Sequence, residues 1–97
     1  MSDPIVIVSA ARTAMGSFQG GFSGLTAANL GAAAIKAAVE RAGLDANLVE
    51  EVLMGCVLQA GQGQAPARQA ALQAGLPQSA CCATIHKVCG SAKKATM

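Results

Sequence analysis

The sequence predicts an α/β fold, a parallel sheet with helices on its faces, and three observations carry that expectation. Short β-branched or apolar runs alternate with alanine-rich stretches of helical spacing. The first two helical stretches each end on a glycine. The order of elements is strand, helix, strand, helix, strand and the start of a third helix. Parallel strands need crossover connections of that kind, and helices are the usual ones.

The first strand is expected at residues 4–9 (PIVIVS), where a continuous apolar run marks a strand buried on both faces. Within residues 1–11 that run is too short, and lacks the basic flank, for a signal peptide. Residues 12–24 are glycine-rich and read as a loop. Thr26 is placed to cap a helix running to about Ala42, with Ile35, Ala38, Val39 and Ala42 on one face and Asn29, Lys36 and Glu40 on the other. Gly43 stands where a left-handed closing residue belongs.

After a turn around Asp45–Asn47, a second strand is expected over roughly Glu51–Leu58. The GQGQ segment at 61–64 forms a loop, lacking the spacing of a phosphate-binding motif. Pro66 opens a second helix that ends at Gly75 and is faced with alanines at 67, 70, 71 and 74, a surface suited to close packing. A third strand is expected over Cys82–Val88, and SAKKATM begins a third helix inside which the chain ends.

Composition narrows the function. Of 97 residues, 22 are alanine and only 21 are Leu, Ile, Val or Phe, so the core is thin and calls for further layers of protein. The net charge of +2 comes from scattered basic residues, with Lys87, Lys93 and Lys94 the only cluster, so no nucleic-acid partner is indicated. No run approaches a membrane span. The four cysteines form no CxxC pair, which points to reduced thiols, a cytoplasmic protein and no metal.

The strongest candidate site is HKVCGSAKK, residues 86–94, where a strand turns through Cys89 and Gly90 into a helix N-terminus. Unpaired amides and positive potential there favour a thiolate, and the same amides are placed to receive an oxyanion. That arrangement suits nucleophilic attack on a thioester. Cys56, Cys81 and Cys82 lie in apolar or strand surroundings and read as structural. His86 is three residues from Cys89, an offset that points the two side chains to opposite faces of a strand, so no Cys–His dyad is expected. Arg12 and Arg68 read as capping or interface residues.

Several motifs in order resemble the thiolase family: IVIVSAART near the start, GSFQG at 16–20, LGAAAIKAAVERAGL at 30–44, VLMGCVLQAGQGQAPARQAALQAGLP at 52–77 and KVCGS at 87–91. The last resembles the segment around that family's acylated cysteine. The resemblance implies that residues 1–97 are part of the N-terminal domain of a thiolase-like αβαβα fold, about a quarter of a complete chain. It implies acyl-CoA acyltransferase activity through an acyl-Cys89 intermediate, making or cleaving acetoacetyl-CoA, with the 3-ketoacyl-CoA thiolases of β-oxidation and a non-catalytic fragment as alternatives. It also implies coenzyme A as substrate or product, no permanently bound cofactor, and a homodimer or homotetramer with the Cys82–Val88 strand near the contact. The family's two catalytic histidine segments and second cysteine lie near its C-terminus, and none is present in residues 1–97. The chain departs from the family at His86, Ala92 and Lys93, where Asn, Gly and an apolar residue are usual.

Overall fold

The computed structural model describes residues 3–97. The elements are α1 (Ala27–Ala42), a single 3-10 turn (Ala46–Leu48), β1 (Glu51–Gly55), α2 (Pro66–Gln73), β2 (Cys81–Ile85) and α3 (Ser91–Thr96). Helix α1 starts at a reciprocal cap. Thr26 Oγ1 accepts from the Asn29 N–H at 3.0 Å, and Asn29 Oδ1 accepts from the Thr26 N–H at 2.9 Å. It closes at Gly43, whose φ of 70° suits glycine. Asp45 caps the short turn by accepting from the Asn47 N–H at 2.9 Å.

Strands β1 and β2 pair in parallel, from Glu51 opposite Cys81 to Gly55 opposite Ile85. Alternation then assigns the two faces. Val52 and Met54 turn toward α1 and α2, and with Ala71, Leu76, Ile35, Val39 and Cys82 they make the core. Gly55 belongs to the other face and meets the start of α3. Helices therefore lie on both sides of the sheet, as the sequence predicts. The alanine stripe of α2 is buried at Ala67, Ala70 and Ala71. It packs so tightly on α1 that a Cβ built on Gly31 would lie 3.2 Å from the Ala70 Cβ. Arg68 caps the following loop, donating from Nη1 to the Ala80 carbonyl at 3.3 Å and from Nη2 to that of Gln78 at 3.1 Å.

The expected first strand is a correction. Residues 4–9 form no strand, Ile5 and Ile7 are fully or almost fully exposed, and Val6 and Val8 are largely so. A strand of that composition needs ladder partners and apolar cover on both faces, and this segment pairs with neither β1 nor β2 and lies uncovered. The side chain of Arg41 reaches only the end of this segment, donating to the Ala10 carbonyl at 3.2 Å. Met1 and Ser2, part of the same apolar stretch, lie outside the described residues. Boundaries shift as well. β1 stops at Gly55 rather than Leu58, because the chain there abuts α3. β2 occupies Cys81–Ile85 rather than Cys82–Val88, because residues 87–90 turn sharply. α2 ends at Gln73, short of Gly75.

The buried centre consists of Val52, Ala71 and Leu76, and among the described residues no large side chain is fully buried. A buried Val or Leu contributes about 1.5–3 kcal/mol, whereas ordering each residue's backbone costs about 1–2 kcal/mol. Residues 1–97 produced alone are accordingly expected to be loosely folded. Scanning calorimetry should record a broad, shallow transition, and a sharp cooperative heat-absorption peak would contradict this.

Candidate active site

The candidate site is built by the turn that joins β2 to α3. The Gly90 N–H donates to the Lys87 carbonyl at 2.9 Å, and the Ser91 N–H donates to the Val88 carbonyl at 3.2 Å. Two overlapping turns thus reverse the chain around Cys89, which is exposed at their apex with a free thiol. Val88 carries a φ of 44°. A β-branched residue in that left-handed region costs about 1–3 kcal/mol and persists only where its surroundings enforce it.

Two contacts enforce it. Ser91, 2% exposed, places its hydroxyl inside the turn, accepting from the Lys87 N–H at 2.8 Å and donating to the Val88 carbonyl at 2.7 Å. Gly55 supplies the second contact. A Cβ there would lie 2.4 Å from the Ala92 nitrogen and 2.5 Å from the Ser91 carbonyl carbon, so only glycine lets the first turn of α3 rest on the end of β1. Sequence reasoning missed both residues. The signal for Gly55 was available, a glycine ending an apolar strand, and such glycines mark close backbone approach.

The expectation that the amides opening α3 are free to receive an oxyanion is corrected in part, since those of Gly90 and Ser91 already serve the Lys87 and Val88 carbonyls. In a trans peptide the N–H points opposite the preceding C=O. With the Val88 carbonyl drawn inward to Ser91, the Cys89 N–H is turned outward. It is this amide that the turn leaves aimed away from α3.

His86 is exposed, and no hydrogen bond joins it to Cys89 among the described residues. Lys87, Lys93, Lys94 and Ala92 are also exposed, so the lysine at 93 meets no burial penalty in this chain. Cys56 is half-buried, with its Sγ 3.8 Å from the Leu58 carbonyl oxygen. Cys82 packs into the core, and Cys81 is exposed at the start of β2. A cavity of about 50 Å³ lies between the start of α1, the end of β1 and the start of α2, lined by Ala28, Gly31, Met54, Cys56 and Ala67 among others. Cys89 is not among its walls, and the apolar lining holds nothing that would orient a polar ligand. Among the described residues no group of three or more His, Cys, Asp or Glu is placed to hold a metal, and no helix is long and apolar enough to cross a membrane.

Comparison with known proteins gives this geometry a context. The chain is 63% identical over 93 residues to the mitochondrial acetyl-CoA acetyltransferase B of Xenopus laevis, covering 96% of this chain and 22% of that protein. It is 58% identical over 96 residues to the acetyl-CoA acetyltransferase of Rhizobium meliloti, covering 98% of this chain and 24% of the relative. Among solved structures it is similar to the Acat5 thiolase from Ascaris suum in complex with coenzyme A, with a TM-score of 0.89 and 42% identity over 91% of this chain and 23% of that one. The chain thus spans less than a quarter of the length of each. The family described as thiolase, N-terminal domain, matches residues 5–97, so the chain belongs to the thiolase family.

Proposed function

We propose that the protein of which these residues form the N-terminal part is an acetyl-CoA acetyltransferase that works through an acyl group carried on Cys89. The observation that supports the reading best is the exposed thiol at the apex of a strained, braced turn, in a chain similar along almost its whole length to proteins named acetyl-CoA acetyltransferase. The Cys89 thiolate attacks the carbonyl carbon of an acyl-CoA. The bond from that carbon to the coenzyme A sulfur breaks, and coenzyme A leaves with a proton as the free thiol. The acyl group then passes to the α-carbon of a second acetyl-CoA, forming acetoacetyl-CoA and restoring the thiol. In reverse, coenzyme A accepts it. Coenzyme A is substrate or product, and no resident cofactor enters.

Both steps need a proton acceptor within hydrogen-bond reach, and carbanion formation needs one more. His86, the only imidazole of the sequence, is exposed and unattached to Cys89. The bases therefore come from outside residues 1–97. The test is to mix the full-length protein with acetyl-CoA, quench in acid and map peptides by mass spectrometry. The expected result is one acetyl group on the peptide holding Cys89. Acetyl on the peptide of Cys56, or none on any cysteine, rejects the mechanism.

The same reading makes the full-length protein cytoplasmic and a homodimer or homotetramer. The outer edge of β2 has no hydrogen-bonded neighbour among the described residues, and open edges of this kind are usually paired or covered. Light scattering on the full-length protein should give at least twice the protomer mass, and a strictly monomeric mass excludes the assembly.

A further inference from the structure

Ser91 is the buried polar side chain among the described residues, 2% exposed, yet it sits one residue beyond a turn open to solvent. Its hydroxyl does not stay within its own helix. It accepts from the Lys87 N–H at 2.8 Å and donates to the Val88 carbonyl at 2.7 Å, so it grips the chain on both sides of the Val88 Cα. Val88 is the residue held at φ 44°. The Val88 carbonyl receives the Ser91 N–H as well, at 3.2 Å, so one residue fixes the plane of the peptide that enters Cys89 from two directions. Without the hydroxyl, the Lys87 N–H loses its buried acceptor and Val88 is free to relax toward negative φ. That relaxation rotates the Val88–Cys89 peptide and carries both the Cys89 N–H and its Cα–Cβ direction with it.

We propose that Ser91 is a positioning residue for Cys89, setting the direction in which the thiol and the Cys89 amide face a bound thioester. The assignment rests on Cys89 being the acylated thiol, but it has its own signature. A residue that only stabilised the fold would loosen every thiol alike, whereas Ser91 reaches one turn and one cysteine.

The experiment follows iodoacetamide modification of the full-length protein as a function of pH, with peptide mapping, in the wild type, Ser91→Ala and Ser91→Thr. In the wild type Cys89 is expected to react faster than Cys56. If it does not, the nucleophile assignment itself fails, whatever Ser91 does. Ser91→Ala is expected to slow Cys89 about tenfold and displace its pH profile, with Cys56 unchanged, and Ser91→Thr is expected to restore most of the rate. An unchanged Cys89 profile in Ser91→Ala, or equal changes at Cys89 and Cys56, overturns the proposal. Should Ser91→Ala fail to fold, amide exchange in the wild type decides. The Lys87 N–H must exchange at least about tenfold more slowly than a free amide if the hydroxyl holds it, and exchange at the free rate overturns the proposal.

Discussion

Cys89→Ala in the full-length protein is expected to lower acetoacetyl-CoA thiolysis by about four to six orders of magnitude, leaving the melting temperature almost unchanged. Removing the attacking atom removes covalent catalysis altogether, and losses of that size accompany the deletion of nucleophiles that act with a base as a unit. The fold should not notice. Cys89 is exposed, and the bonds that shape its turn run between the backbone of residues 87–91 and the Ser91 hydroxyl, none through the thiol. Steady-state kinetics beside a thermal melt checks both halves. Activity within about tenfold of wild type would remove Cys89 from the mechanism. Cys56→Ala provides the control and should keep its activity, because that thiol lines the separate apolar cavity.

The second large effect is expected from a methyl group. Gly55→Ala places a Cβ 2.4 Å from the Ala92 nitrogen and 2.7 Å from its Cα, distances that atoms in proteins do not keep. Both obstacles are backbone, so no side chain can swing aside. Either α3 lifts from the end of β1 or β1 bends, and overpacking of this kind costs about 1–3 kcal/mol. The displaced segment is the one that closes the Cys89 turn. A misplacement near 1 Å can cost about a hundredfold in rate, so activity should fall by about that factor even where the variant still folds. Gly21→Ala, at a position where no atom lies within 4 Å of the added carbon, should leave activity intact. Equal activity of wild type and Gly55→Ala would mean that α3 does not set the position of Cys89.

The contrast between these two residues shows what the sequence made legible. Cys89 stands out as a candidate from type and context, as a cysteine followed by glycine at a strand-to-helix turn, and the structure shows that turn and the exposure of the thiol. The thiolase resemblance of KVCGS pointed to the same atom. Helix α1 was equally plain, since Thr26 and Gly43 mark its ends through local bonds. Gly55 and Ser91 were hidden because their roles depend on contacts across 36 residues in one case and on a side-chain rotamer in the other. The strand expected at residues 4–9 failed for a related reason. Its composition reports an environment buried on both faces, and strand formation needs hydrogen-bonding neighbours that local sequence does not supply. The strand ends were misjudged by the same argument, since apolar residues continue past Gly55, and Val88 stands beyond Ile85, while the ladder stops at that pair.

The bare Ile5–Val8 run has a consequence for biosynthesis. During synthesis this stretch leaves the ribosome ahead of everything C-terminal to it, which follows at about 5–20 residues per second. While that synthesis lasts, a β-branched, uncharged segment without proline beyond Pro4 stands in solvent next to its siblings on the same message. Such segments seed intermolecular strand pairing. Yield in cells should therefore depend on chaperones that bind nascent chains, and slowing translation should lengthen the interval during which neighbouring chains can capture one another.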